Sequence, residues 1–388
     1  MIDFKKDIKV AIGATSLYTP LTGIGNYTLN LAMSLNELSN LELEYFYGYS
    51  WSEKLQTIDA PKASKVKKLI RKLIPQAYVA RRSAQQYAFS SGSKSKHYDV
   101  YHEPNFIPMQ FNGPIVITVH DLSYIRFPDA HPVERVKMMS KMLPPAIRRA
   151  DAIIADSHFT KQEIMDEFGV ASEKIYVTHL GLSSEFYPRE EQEVSPVAMK
   201  YGLKPNQYFI AVGTIEPRKN LIQAVEAYRA LPDELAKRYP LAIVGMRGWK
   251  DKGLFADLNT LVIEGKARLL GYVDAEDLPV LYSGARGLVF PSLYEGFGLP
   301  VLEAMACATP VIASNSSSIP EVIGDAGMLV DVGDIDGLKE CIKTLCLNDA
   351  EFSRMSEEGV LQAKKFSWEN CASQTYAAYL YAINNFKQ

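Results

Sequence analysis

The chain is 388 residues long, carries 42 basic and 45 acidic side chains for a formal net charge of −3, and is 47 % hydrophobic. That length is too great for one ordinary core and predicts two α/β domains of roughly 180 residues each, while the near-balanced charge gives no overall attraction to nucleic acid. Four cysteines (Cys307, Cys341, Cys346, Cys371) lack metal-ligand or CxxC spacing, and no apolar run reaches the roughly 20 residues needed to cross a bilayer, so the expectation is a reduced, cytoplasmic protein.

Short β-rich apolar runs alternate with helical patterns along the chain, the mark of parallel sheets covered on both faces. Lys9–Ala14 reads as the first strand, and YTPLTGIGNYTLN (Tyr18–Asn30) sets Gly23 and Gly25 between it and a helix. The pattern is not G-x-G-x-x-G and carries no dinucleotide fingerprint. A flexible turn ahead of a helix N-terminus suits the approach of a phosphate or an acceptor, and also serves as a plain connection. Leu43–Tyr47 is the next strand.

Between Asp59 and Asp99 no acidic residue occurs, and PKASKVKKLIRKLIPQAYVARR (61–82) spaces Val66, Leu69, Ile70, Leu73 and Ile74 helically among Lys67, Lys68, Arg71 and other cations. Such a basic amphipathic helix either lies on an anionic membrane surface or packs its apolar face on its own domain. Asp99–His102 ends at His102 and Glu103, a pair able to shape an acceptor site, and Ile115–His120 ends at His120 and Asp121. Ala152–Ala155 and Ile175–Thr178 complete the first series. The polar, proline-containing stretch from Tyr187 to Gln207 reads as an interdomain linker, which divides the chain into 1–187 and 188–367.

The second series comprises Tyr208–Gly213, Leu241–Val244, Arg268–Gly271, Gly287–Pro291, Pro310–Ala313 and Met328–Val330. Sheets wound in this way bind ligands at the carboxyl ends of their strands, so two such domains are expected to face each other across a cleft. Beyond Gly213, the loop GTIEPRKN presents Arg218 and Lys219, a planar fork and a point charge able to neutralise a departing diphosphate. Beyond Pro291, Glu295 is followed by Gly296, Phe297, Gly298 and Leu299, with Pro300 suited to a first helical turn and Glu303 one turn further in. The helix start offers unpaired N–H groups to a diphosphate, and the two carboxylates can accept hydrogen bonds from hydroxyls of a sugar and of a ribose. Asp334-Ile335-Asp336 forms a D-x-D pattern but reads as a helix cap. A terminal helix is expected in 368–388, packing back on the N-terminal domain.

Taken together, EGFGLPVLEAMACATPVIAS, GTIEPRKN, GYVDAEDLPVLYSGARGLVFPS and SIPEVIGDAGMLVDVGD resemble the retaining glycosyltransferases of family four, which have the GT-B fold. The likeness covers nearly the whole chain. It implies that Glu295 and Glu303 hold donor sugar and ribose, that Arg218 and Lys219 bind the diphosphate, and that Gly271, Tyr272 and Val273 run beside the nucleobase. It also implies roles for the Gly23–Gly25 loop near donor phosphate and acceptor, and for His120 beside the reacting sugar. Many members carry Gly-Arg where this chain has Gly213-Thr214, so the charge passes to Arg218. The EPRKN form resembles the branch rich in bacterial polysaccharide mannosyltransferases. The implied donor is GDP-mannose, with no metal required. The implied acceptor is a glycan, lipid-linked, in surface polysaccharide or O-antigen biosynthesis, with peripheral contact at the inner membrane face. A nucleotide-sugar epimerase of the same fold and a catalytically silent donor-binding subunit remain as alternatives.

Overall fold

A computed structural model describes residues 7–18, 23–57, 76–248 and 252–387. The cations Lys67, Lys68 and Arg71 of the basic stretch lie outside the described residues. The chain forms two compact units: Met1–Leu122 with Lys137–Gly181 and Trp368–Gln388, and Ser123–Val136 with Leu182–Ser367.

The first unit is built on a sheet of seven strands among the described residues. These are β1 (Ile8–Gly13), β2 (Leu41–Phe46), β3 (Trp51–Ser52), β4 (Val100–Glu103), β5 (Ile115–Val119), β6 (Ala152–Ala155) and β7 (Ile175–Val177). Their order is β3-β2-β1-β4-β5-β6-β7, parallel throughout except for the antiparallel edge strand β3. Among the described residues the second unit has six parallel strands: β8 (Phe209–Val212), β9 (Leu241–Val244), β10 (Ala267–Gly271), β11 (Gly287–Phe290), β12 (Val311–Ser314) and β13 (Met328–Val330), ordered β10-β9-β8-β11-β12-β13. Uninterrupted apolar strands such as IVITV in β5 and LAIV in β9 are buried along their whole length, because helices cover both faces. In each sheet the order reverses beside the first strand, between β1 and β4 and between β8 and β11. The loops leaving those strands therefore diverge and leave room for a ligand.

Three expectations change. The supposed linker contains a helix, Glu191–Lys200, started by a reciprocal capping box between Glu190 and Glu193. Val194 and Ala198 on that helix are buried, and Tyr201 and Lys200 both bond Asp277. The division between units falls at Leu182 rather than after Tyr187. Ser123–Val136 joins the second unit, where the Phe127 ring stands 5.6 Å from that of Tyr294. The short edge strand β3 had no apolar run to announce it.

The terminal helix Trp368–Asn385 belongs to the first unit. Its Trp368 ring lies 6.1 Å from Tyr27, and Tyr379 Oη is 2.8 Å from His102 Nδ1. The other nitrogen of His102 is 2.9 Å from Thr118 Oγ1, which Tyr27 also bonds. Burial, with His120 nearby, pushes the His102 imidazole down to about 3, so it is a neutral cross-link between sheet and helix. It has no exposed surface, which removes it from the acceptor site. Tyr379→Phe should leave a buried nitrogen unpaired and cost about 1–3 kcal/mol in urea unfolding of the full chain; an unchanged midpoint would show that the bond contributes nothing.

Candidate active site

At the switch point of the second sheet, the loop after β8 passes through Gly213 into a short 3₁₀ turn, Pro217–Lys219. The loop is pressed against the end of β9: a Cβ on Gly245 would stand 1.9 Å from the Gly213 carbonyl oxygen, so only glycine fits. The loop after β11 is tied to it by the Leu293 N–H, which donates to the Arg218 carbonyl at 2.9 Å. These two loops bring opposite charges together. Lys219 Nζ lies 2.5 Å from Glu295 Oε1, and Arg218 Nη1 lies 3.0 Å from Glu295 Oε2.

Arg218 does not hold its fork open. Its Nε and Nη2 both donate to Glu216 Oε1, at 3.1 and 2.8 Å, and Nη1 also donates to the Tyr294 carbonyl at 2.6 Å. Lys219 also sits over the Phe290 ring, 5.1 Å from its centroid. The result is a row of two cations and two carboxylates with all four side chains largely buried. Burial raises the Glu295 carboxyl, but Lys219 and then Arg218 outweigh it and hold the group below the usual glutamate value. Glu295 is thus an ionised acceptor within the pH range of life.

The backbone around Glu295 is clamped. Its N–H donates to Ser317 Oγ at 2.9 Å, and Ser318 Oγ donates to the carbonyls of Glu295 and Phe297 at 2.9 and 2.8 Å. Gly298 takes a left-handed conformation, φ +112°, at the entry to the helix Leu299–Ala306. Gly296 and Leu299 are half-buried on either side of the buried Phe297, whose ring packs 5.7 Å from Phe366. Glu303 is half-buried and accepts from Tyr282 Oη at 3.1 Å. Burial pushes its carboxyl up to about 7; the Tyr282 bond opposes the rise and Glu185 adds to it. Of the segment expected beside a base, Tyr272 is 72 % exposed whereas Val273 is buried at 7 %. Asp334 accepts from the Gly337 N–H and caps the helix Ile335–Leu347.

In the first unit, His120 follows β5 with both ring nitrogens engaged. Nε2 lies 2.9 Å from the Pro104 carbonyl, which can only accept, and Nδ1 lies 2.8 Å from Asp156 Oδ2. Tyr27 and Phe106 meet the ring edge-on at 4.7 and 5.5 Å. Burial would lower the imidazole and does raise Asp156, yet the attraction of Asp156 holds His120 above its ordinary value, with Asp121 adding to it. The pair keeps a proton between Nδ1 and Oδ2, which leaves the ring no free lone pair with which to act as a base. Glu103 is buried, accepting from Tyr101 Oη at 2.7 Å and from the Asn105 N–H at 3.2 Å. It packs under Gly13, where a Cβ would meet Glu103 Oε2 at 2.6 Å, so it supports the loop carrying Pro104 and does not reach toward an acceptor. Burial pushes its carboxyl up to about 7. Gly23 is exposed and Gly25 buried in the first turn of the helix Gly23–Asn36, and Asp121 is half-buried next to His120.

Several residues here escaped the sequence reading. Glu216 stands two places before Arg218, and its acid-next-to-base spacing was visible. Asp156, Tyr282, Ser317 and Ser318 are brought in from distant segments and had no local signal.

Two doubly wound units with ligand-handling side chains at strand ends form the GT-B architecture of sugar-transferring enzymes. The family model Glycosyltransferase Family 4 matches residues 21–186, and Glycosyl transferases group 1 matches residues 199–361. The chain is 39 % identical over 382 residues to O-antigen chain mannosyltransferase B of Escherichia coli, covering 96 % of this chain and 99 % of that one. Among solved structures it is similar to sucrose-phosphate synthase of Thermosynechococcus elongatus, with a TM-score of 0.72 and 20 % identity, over 96 % of this chain and 98 % of that one. It is also similar to Anabaena HepE in complex with UDP-glucose, with a TM-score of 0.72 and 17 % identity, over 95 % and 98 % of the two chains. The chain therefore belongs to the family-four glycosyltransferases. Among the described residues no helix is long and apolar enough to cross a membrane.

Glu303 gives a pH signature. Its folded value of about 7 lies above the unfolded 4.5, so its contribution to stability is complete below 4.5 and is lost as pH rises through about 7. Glu303→Gln should flatten the fall in stability across that window and exceed the wild type near pH 8 in chemical denaturation; equal slopes would refute the assignment. For His120, nitrogen NMR over a pH titration should show the ring losing its proton above the ordinary histidine value, and Asp156→Asn should move that loss to lower pH. A wild-type ring titrating at or below 6.5 would contradict the shared proton.

Proposed function

We propose that this glycosyltransferase moves mannose from GDP-mannose, with retention at the anomeric carbon, to a lipid-linked glycan in O-antigen biosynthesis. The observation that carries the donor site is the convergence of Lys219 and Arg218 on Glu295 at the switch point between β8 and β11. The choice of mannose is supported by likeness over nearly full length to an O-antigen chain mannosyltransferase.

In this reading Lys219 is the principal contact of the departing diphosphate, since Arg218 is braced by Glu216 and the Tyr294 carbonyl. The positive end of the helix Leu299–Ala306 adds to the stabilisation of charge that grows as the sugar–phosphate bond breaks. These protein charges do the work that a divalent ion does in other transferases. Glu295 accepts from hydroxyls of the mannose, Glu303 from those of the ribose, and the exposed Tyr272 lies alongside the base. Because the His120 ring has no free lone pair, the acceptor proton goes to the leaving phosphate during same-face attack, and His120 positions. A lipid-linked acceptor places the reaction at the cytoplasmic face of a membrane, in keeping with the basic sequence of 61–82.

Incubation with radiolabelled GDP-mannose and a lipid-linked glycan should yield an extended glycan with an α-mannosyl linkage by NMR. Glu295→Ala should lower kcat/KM by at least about 100-fold with the circular dichroism spectrum unchanged. Epimerised free donor, or a Glu295→Ala rate equal to wild type, would overturn the proposal.

A further inference from the structure

We propose that Glu295 makes the donor site discriminate between the sugar-bearing nucleotide and the spent nucleoside diphosphate, by competing with the diphosphate for Lys219 and Arg218. The inference rests on the donor-site reading above and adds to it a specificity that the reading does not contain.

Two cations, Arg218 and Lys219, already face two carboxylates, Glu216 and Glu295, so no cation stands uncompensated in this group of four. A diphosphate that draws Lys219 and the Nη1 edge of Arg218 toward itself must take them from Glu295. The other group that answers Glu295 is the buried Ser292 hydroxyl, a single neutral donor in place of two cations. The Glu295 side chain is 11 % exposed, so water does not replace what it loses. Its backbone is held on both sides, by Ser317 at the N–H and by Ser318 at the carbonyl, which fixes the point from which the carboxylate reaches. A buried carboxylate stripped of its partners is costly.

An intact donor supplies the replacement. Hydroxyls of the sugar donate to the carboxylate as its cations turn to the phosphates, and each such bond to an ionised group is among the stronger hydrogen bonds in proteins. A spent nucleotide has phosphates and no sugar. It asks for the cations and returns nothing, so Glu295 reclaims them and the nucleotide is expelled. Glu216 makes the exchange selective within Arg218: it retains the Nε and Nη2 edge at 3.1 and 2.8 Å and the Tyr294 carbonyl retains one Nη1 proton at 2.6 Å, so the guanidinium stays in place while only its bond to Glu295 changes partner.

The test is isothermal titration of the full chain, without acceptor, by GDP, UDP, GDP-mannose and UDP-glucose. Wild type should bind a sugar-bearing nucleotide more tightly than its spent counterpart. Glu295→Gln, which keeps the shape and removes the charge, should bind the spent nucleotide at least about tenfold more tightly than wild type and the sugar-bearing form less tightly, reversing the preference. Glu295→Asp, too short to reach Lys219 in the same way, provides a charged second variant should the first fail to fold; it should shift in the same direction by a smaller factor. A variant that binds the spent nucleotide no more tightly than wild type overturns the competition while leaving the donor site standing. Equal gains for both forms overturn the sugar's part in the exchange. If none of the four nucleotides binds the wild-type chain, the donor site itself is misassigned, and the inference falls with it.

Discussion

A carboxylate can be buried only if something nearby answers its charge, and the second unit is organised around that constraint at Glu295. The answer comes from a different loop, and the two loops meet because the sheet reverses its order between β8 and β11. The glycine pair Gly213 and Gly245 lets the first loop lie flat on the end of its neighbouring strand, and the Leu293–Arg218 backbone bond joins it to the second. Topology, glycine placement and charge are parts of one arrangement. Each would be without purpose if the ion pairs were absent, since breaking a buried pair leaves an uncompensated charge that costs several kcal/mol.

The first unit shows how far environment decides the chemistry of a side chain. His102 and His120 stand at the ends of adjacent parallel strands and differ in every respect that matters. His102 meets only hydroxyls, and burial drives it neutral. His120 meets a carboxylate and a carbonyl, and the carboxylate overrides burial. One becomes a fastener for the terminal helix. The other becomes a rigid ring with both nitrogens engaged, which argues for positioning and against base catalysis.

Much of this was legible in the sequence because parallel sheets write continuous apolar runs, and each of the twelve runs read as a strand is one in the structure. Glu295, Arg218 and Lys219 were legible because they sit in loops directly after such runs, where Gly and Pro mark the exits. What was not legible depends on contacts between remote segments. Nothing around His102 tells that Tyr379 will bond it, 277 residues later. Nothing around Glu295 tells that Ser317 and Ser318 will clamp it. The helix Glu191–Lys200 was hidden by its own charge and proline: its cap is acidic and its buried face is only Val194 and Ala198, too narrow to register as periodicity.

The first unit is not contiguous in the chain, because its last element is the helix Trp368–Asn385. That helix carries the hydroxyl that satisfies His102 and the indole that lies against Tyr27. On the ribosome, where residues emerge in order, the first domain to begin synthesis is consequently the last to close. Until that helix is released, its core lacks a wall, while the described strands of the second unit have already been made. Such an order of events makes the nascent N-terminal half the stage most exposed to chaperones and proteases.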